Sequence, residues 1–268
     1  MRKSILIVAA LGLATVLAVH FLNAPAGQQT VAPAAETAVA QTASESTAGT
    51  PTTPVARSVV PQRGDGASNH AALSPASPEG IAFAAQIDTL VSPHSTYAEK
   101  QAAWNELLAS GRIQDAIAEL TQRAASDPQN AEIASALGQA YLRACGTTQD
   151  VHSQAIWAMQ ADTSFDTALS LDPSNWDARF TKAMAMTYWP DNLNKGPEVI
   201  SLFNTLIQQQ EKQEPQPQFA QTYDLLGQQY AKAGQTDMAQ QVWQHGAALY
   251  PDNQALQNRL APAQTARQ

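Results

Sequence analysis

Apolar residues fall into three regimes along this chain. From Ile5 to Leu22 they form one uncharged run, preceded by Arg2 and Lys3. As a helix rising about 1.5 Å per residue, a run of roughly 18 residues nearly spans the hydrocarbon core of a bilayer. From Asn23 to Gly80 the pattern dissolves into Ala, Thr, Ser, Gln and aperiodic Pro, with no Phe, Trp or Tyr. Such a segment lacks the apolar surface to offset its own ordering entropy and reads as a disordered linker. Beyond it apolar residues return at helical spacing. Ile81, Ala84, Ile87, Leu90 and Val91 suit one short helix, and Val199, Ile200, Leu202, Phe203 and Leu206 suit a longer one that Pro197 opens. The pattern predicts an all-α fold: a signal anchor or transmembrane helix over residues 1–22, a linker over 23–80, a short helix with its following loop over 81–96, paired helices over 97–260 and a tail over 261–268.

The paired helices show as a repeat. In the unit from Ala220 to Asn253, Leu226, Gly227, Tyr230, Gly234, Ala239, Trp243, Gly246 and Pro251 hold positions 7, 8, 11, 15, 20, 24, 27 and 32. Small residues at 8 and 20 let two helices approach closely, large ones at 7, 11 and 24 fill the space between them, and proline at 32 stops the second helix. Counting back from earlier prolines recovers further units. A unit from Tyr97 matches through Gly111, Ala116, Leu120 and Pro128, but Trp104 stands at position 8, so its first helix fits poorly. The next matches through Leu137, Gly138, Tyr141, Ala161, Phe165, Ala168 and Pro173, with about 11 extra residues against a period of about 34. Val151, Ala155, Ala158 and Met159 keep helical spacing there, so the insertion lengthens the second helix after a turn from Cys145 to Asp150. A third unit opens at Trp176 with Ala183 at position 8, followed by a long turn at Trp189 to Asn194. Ala255, Leu256 and Leu260 suit a closing helix.

This pattern resembles the tetratricopeptide repeat family, whose module is a pair of antiparallel helices stacked into a curved solenoid. The resemblance covers residues 97–260 and recurs about four times. It implies that first helices line a concave face, with side chains at positions 2, 5, 9, 12 and 13 as ligand contacts. In frame these include Gln101, Asn105, Ser135, Gln139, Arg143, Phe180, Met184, Tyr188, Asp224, Gln228 and Lys232. As a candidate peptide-binding groove, the amides would pair with main-chain groups, Phe180, Met184 and Tyr188 would form an apolar pocket, and Arg143 would hold an acidic group. The family's carboxylate clamp is not expected, because Gln101 stands where a lysine is wanted.

Composition then removes other classes. The 268 residues carry a net charge of -8, which disfavours a nucleic-acid partner. The one cysteine, Cys145, closes no disulfide within the chain, and the five histidines share no metal-ligand spacing. No phosphate loop, Gly-x-Ser-x-Gly elbow or His-Glu-x-x-His motif occurs, so no catalytic residues, metal or cofactor are expected. Asp162, Asp166 and Asp172 read as a solvated face. Basic residues before the first helix place the N-terminus in the cytoplasm and the repeats outside the bacterial inner membrane, in the periplasm. Ala24 and Ala26 leave open cleavage near Ala26 and secretion. The functional expectation is a non-enzymatic, membrane-tethered adaptor or scaffold with a protein or peptide partner in its groove. Two alternatives stand beside it: a periplasmic assembly chaperone resembling the cytochrome c maturation factors of this family, and a regulatory or targeting subunit of an envelope enzyme.

Overall fold

A computed structural model describes residues 75–261. The expected membrane span over 1–22 and most of the linker lie outside them. Among the described residues no helix is long and apolar enough to cross a membrane.

Ten α-helices follow in order: α1 (Pro78–Val91), α2 (Tyr97–Ala109), α3 (Ile113–Ser126), α4 (Ala131–Cys145), α5 (Val151–Leu171), α6 (Trp176–Met186), α7 (Gly196–Gln210), α8 (Ala220–Lys232), α9 (Thr236–Leu249) and α10 (Gln254–Leu260). The chain is all-α over the described residues, with helices paired as α2/α3, α4/α5, α6/α7 and α8/α9. Helix α5 is 21 residues long and takes up the extra length of the second unit. The long turn after α6 contains a short 3-10 segment, Asp191–Leu193, and closes on Asn194 at φ 49°. Asparagine tolerates this left-handed conformation better than most residues.

Local signals punctuate the pairs in the same way. Gly111 and Gly234, both at position 15, sit at φ 70° and 75° between the helices of the first and last pairs. In each, the following amide reaches five residues back, Arg112 N–H to the Leu107 carbonyl and Gln235 N–H to that of Tyr230, both at 2.8 Å. These bonds satisfy carbonyls that a helix end leaves unpaired, and only glycine enters that backbone region without strain. Asparagine opens two of the four first helices and the closing helix. Asn130, Asn175 and Asn253 each follow a proline by two residues and accept N–H groups from the first turn of α4, α6 and α10.

The position-8 rule takes a reciprocal form. Gly138 on α4 lies under Phe165 of α5, so that an added Cβ would stand 2.6 Å from the ring, and Gly227 on α8 lies under the Trp243 indole of α9. In the first pair the large residue sits on the other helix: Trp104 fills the gap and faces Leu120 at position 24. Buried Ile87 and Leu90 of α1 join Trp104, Leu107, Ile113 and Leu120 in one cluster, so α1 completes the pair that Trp104 holds open. Helix α4 walls this cluster with Ala136, Ala140 and Ala144, and with Ala134 and Leu142 it enters the main core with Phe165, Phe180, Met184, Phe203 and Leu226. Leu256 of α10 covers the far end beside Tyr223 and Ala247.

Candidate functional site

Ser135, Gln139 and Arg143 are spaced by four and line one stripe of α4. Against this stripe lies α2. The Trp104 indole N–H donates to Gln139 Oε1 at 3.0 Å, and the Arg143 guanidinium lies over the Trp104 ring, 4.3 Å from its centre. Arg143 is fully buried, and Ser135 and Gln139 nearly so. Burial pulls the guanidinium down to about 9, with Tyr97 opposing the shift. It therefore keeps its charge at neutral pH. Tyr97 is pushed up to about 12 by burial and Asp177, with Arg143 opposing.

The concave curve is tight enough for the first and third pairs to meet. Lys100 Nζ on α2 contacts Glu132 Oε2 on α4 at 2.8 Å and Asp177 Oδ2 on α6 at 2.9 Å. Asn175 Nδ2 donates to the other oxygen of Glu132 at 2.8 Å. Burial lowers the Lys100 pKa, but its two carboxylates raise it more, and the net shift is upward. Tyr97 meets Trp176 edge-on at 5.9 Å, and Trp176 stacks on Phe180 at 4.6 Å and contacts Phe219 at 5.3 Å. Lys100, Glu132, Trp176 and Asp177 were not among the expected site residues. Their sequence signal was modest: acids at position 2 of two successive units and a lysine at position 4 of the first.

These contacts correct the expected groove. Phe180 and Met184 belong to the core, so the apolar pocket expected of them is already filled by the protein, and of that trio Tyr188 alone is half-buried. Asp224 is also buried. It receives Arg259 of α10 at 2.8 Å and Gln228 Nε2 at 2.8 Å, and Arg259 further lies over the Trp243 ring at 5.7 Å. Asn105 and Lys232 are exposed, Gln101 and Gln228 half-exposed, and Lys232 reaches Asp191 of the long turn at 2.6 Å. Of the side chains on or beside this face, Tyr97, Gln101, Trp176, Tyr188 and Gln228 are partly exposed, and Asn105 and Lys232 are exposed.

One reading away from this face also changes. Asp162 and Asp166 keep 30% and 64% side-chain exposure, but they are not merely a solvated face: both grip Lys182 of α6, at 2.9 and 2.5 Å, and tie α5 to the third pair. Cys145 is fully buried at the end of α4, and burial pushes its thiol up to about 12. At pH 8 iodoacetamide is expected to alkylate it at least roughly 100-fold more slowly in the folded protein than in denaturant. Complete modification of the native protein at the denatured rate would contradict this packing. Among the described residues no three His, Cys, Asp or Glu side chains gather as a metal-holding group.

No protein-family model matches the sequence, and no curated protein matches it. Among solved structures the chain is similar to the crystal structure of MamA, at 18% identity over 55% of this chain and 74% of that one, with a TM-score of 0.43. It is similar also to YrrB, described as a TPR protein with an unusual peptide-binding site, at 14% identity over 67% of this chain and 98% of that one, with a TM-score of 0.33. With such partial superposition, the fold rests on the chain's own geometry: glycine at position 8 under an aromatic at 24, glycine at 15 in the turn, and proline at 32 make this a tetratricopeptide-like array of helix pairs.

Proposed function

We propose that the protein is a non-enzymatic scaffold that binds a protein or peptide partner along the concave face of its first helices. The observation that carries this reading is the set of partly exposed amides and aromatics, Tyr97 and Gln101 on α2, Trp176 on α6 with Tyr188 in the turn after it, and Gln228 on α8. Amides that both donate and accept suit an extended main chain, and aromatic faces with one wet edge suit its side chains. In this reading residues 1–22 tether the protein to the bacterial inner membrane, the residues from 23 up to the start of α1 at Pro78 space it from the bilayer, and the helix pairs work in the periplasm.

A photoreactive residue placed in the full-length protein in cells tests the face. Substitution at Asn105 or Gln228 is expected to yield a discrete cross-linked partner, whereas substitution at exposed Gln122 of α3 or Thr163 of α5 is not. Cross-links from Gln122 and Thr163 alone would move the interaction to the outer helices and refute the proposal.

A further inference from the structure

Among the described residues most buried or partly buried cations pair with carboxylates, and two guanidiniums, Arg143 and Arg179, do not. Lys100 holds Glu132 and Asp177, Lys182 holds Asp162 and Asp166, Arg123 holds Asp88 and Glu119, and Arg259 holds Asp224. Arg179 makes no ion pair and its Nη1 has no acceptor, but the charge of Asp172 acts on it, whereas no carboxylate acts on Arg143. Arg143 is buried more completely than any of these, yet among the described residues no carboxylate lies within ion-pair reach of it.

Its hydrogen bonds are correspondingly thin. A guanidinium offers five N–H donors. Here Nη1 donates to the Gln139 carbonyl at 3.3 Å, Nη2 reaches Gln101 Oε1 only at 3.5 Å, and Nε has no acceptor. Nε and Nη2 form one edge of the planar group, the edge that a carboxylate grips with two parallel bonds. That edge is the under-used one. The Ser135 hydroxyl, on the same stripe of α4, is also buried without a partner. Gln101, whose neutral oxygen touches this edge, is partly exposed.

We propose that Arg143 is the seat for one carboxylate of the bound partner, with Gln101 as the neutral placeholder that the carboxylate displaces. The proposal rests on the concave-face reading above and sharpens it: the partner brings an acidic group, from a chain end or from an Asp or Glu side chain, to the second pair. An incoming carboxylate takes the Nε and Nη2 edge as a fork, releases the Gln101 amide to solvent, and neutralises a cation that the fold leaves unbalanced.

The test uses the full-length protein in detergent, at fixed ionic strength, with melting as the readout. Probes are N-acetylglycylglycine, whose carboxylate is a chain end, its C-terminal amide, and the α-amide of N-acetylglutamate, whose carboxylate is a side chain. At least one acid is expected to raise the midpoint by a few degrees at tens of millimolar, while the neutral amide does not. Whichever acid acts more strongly identifies the source. The response is expected to vanish in Arg143→Met. Gln101→Glu, which supplies an internal carboxylate, is expected to raise the midpoint without any probe and to abolish the response. Equal shifts from acid and amide, no shift from either acid, or an acid response that survives in Gln101→Glu would overturn the seat, even should Arg143→Met fail to fold. Loss of the seat with cross-links from Asn105 and Gln228 intact would leave the concave-face reading standing. Loss of those cross-links with the acid response intact would refute that reading alone.

Discussion

Gly227→Val is expected to lower stability by more than about 3 kcal/mol, roughly 6 to 12 °C in melting midpoint for a folded part of this size. A Cβ at this position runs into the Trp243 indole, meeting ring atoms near its base rather than a flexible tip. The ring cannot swing clear without cost, because its N–H donates to the Asp224 carbonyl at 3.2 Å and Arg259 lies over its face. Gly227→Ala separates sterics from propensity. Alanine favours a helix interior by about 1 kcal/mol over glycine, yet the overlap begins at Cβ, so a net loss of about 2 kcal/mol is expected. Gly138→Val should behave alike beneath Phe165, whereas Gly196→Ala, with nothing within 4 Å of its added carbon, is expected to stay within about 0.5 kcal/mol of the parent. Urea unfolding followed by circular dichroism checks the series. A Gly227→Val variant as stable as Gly196→Ala would contradict the close crossing of α8 and α9.

The second large effect is expected of Lys100→Met, a loss of about 2 kcal/mol. Removing one member of a fully buried ion pair costs about 3 to 5 kcal/mol. Glu132 and Asp177 keep 22% and 20% side-chain exposure and recover part of that from water. Lys195→Met, which breaks the exposed pair with Glu198, is expected to cost less than about 0.5 kcal/mol and to lose even that at high salt. The pH dependence has a definite sign. The Lys100 pKa is raised in the folded state, so its contribution is complete below the unfolded value of about 10.4 and is lost as pH rises through the folded value. Lys100→Met should remove that share of the alkaline loss. Equal stability of Lys100→Met and the parent at pH 7 would mean that α2, α4 and α6 do not converge on this ammonium.

How much of this was legible in the sequence varies residue by residue. Gly138 with Phe165, Gly227 with Trp243, and Gly111 and Gly234 in their turns were readable because each carries a local backbone or size requirement that recurs at fixed spacing. The length of α5 and the restart of α7 at Pro197 followed from apolar spacing alone. The asparagine caps were also present, each two residues after a proline, and passed unread. The candidate site was harder. A repeat frame says which side of a helix faces inward along the curve, but how tightly the curve closes depends on contacts about 80 residues apart, such as Tyr97 with Trp176. The close packing of α2 on α4, with Trp104 against Gln139 and Arg143, covers the stripe that the frame presents as groove. Phe180 is taken into the core under Trp176. Asp224 looked free because its partner, Arg259, lies on a closing helix outside the repeat, and Asp162 and Asp166 looked solvated because nothing local announces Lys182.

The central claim is that first helices stack closely enough for the first pair to touch the third. A double-mutant cycle on Lys100→Met and Asp177→Asn, measured by urea unfolding, tests that contact most directly. Direct contact across two pairs predicts a coupling of roughly 1 kcal/mol or more between residues 77 positions apart. Effects that add to within about 0.3 kcal/mol would contradict it.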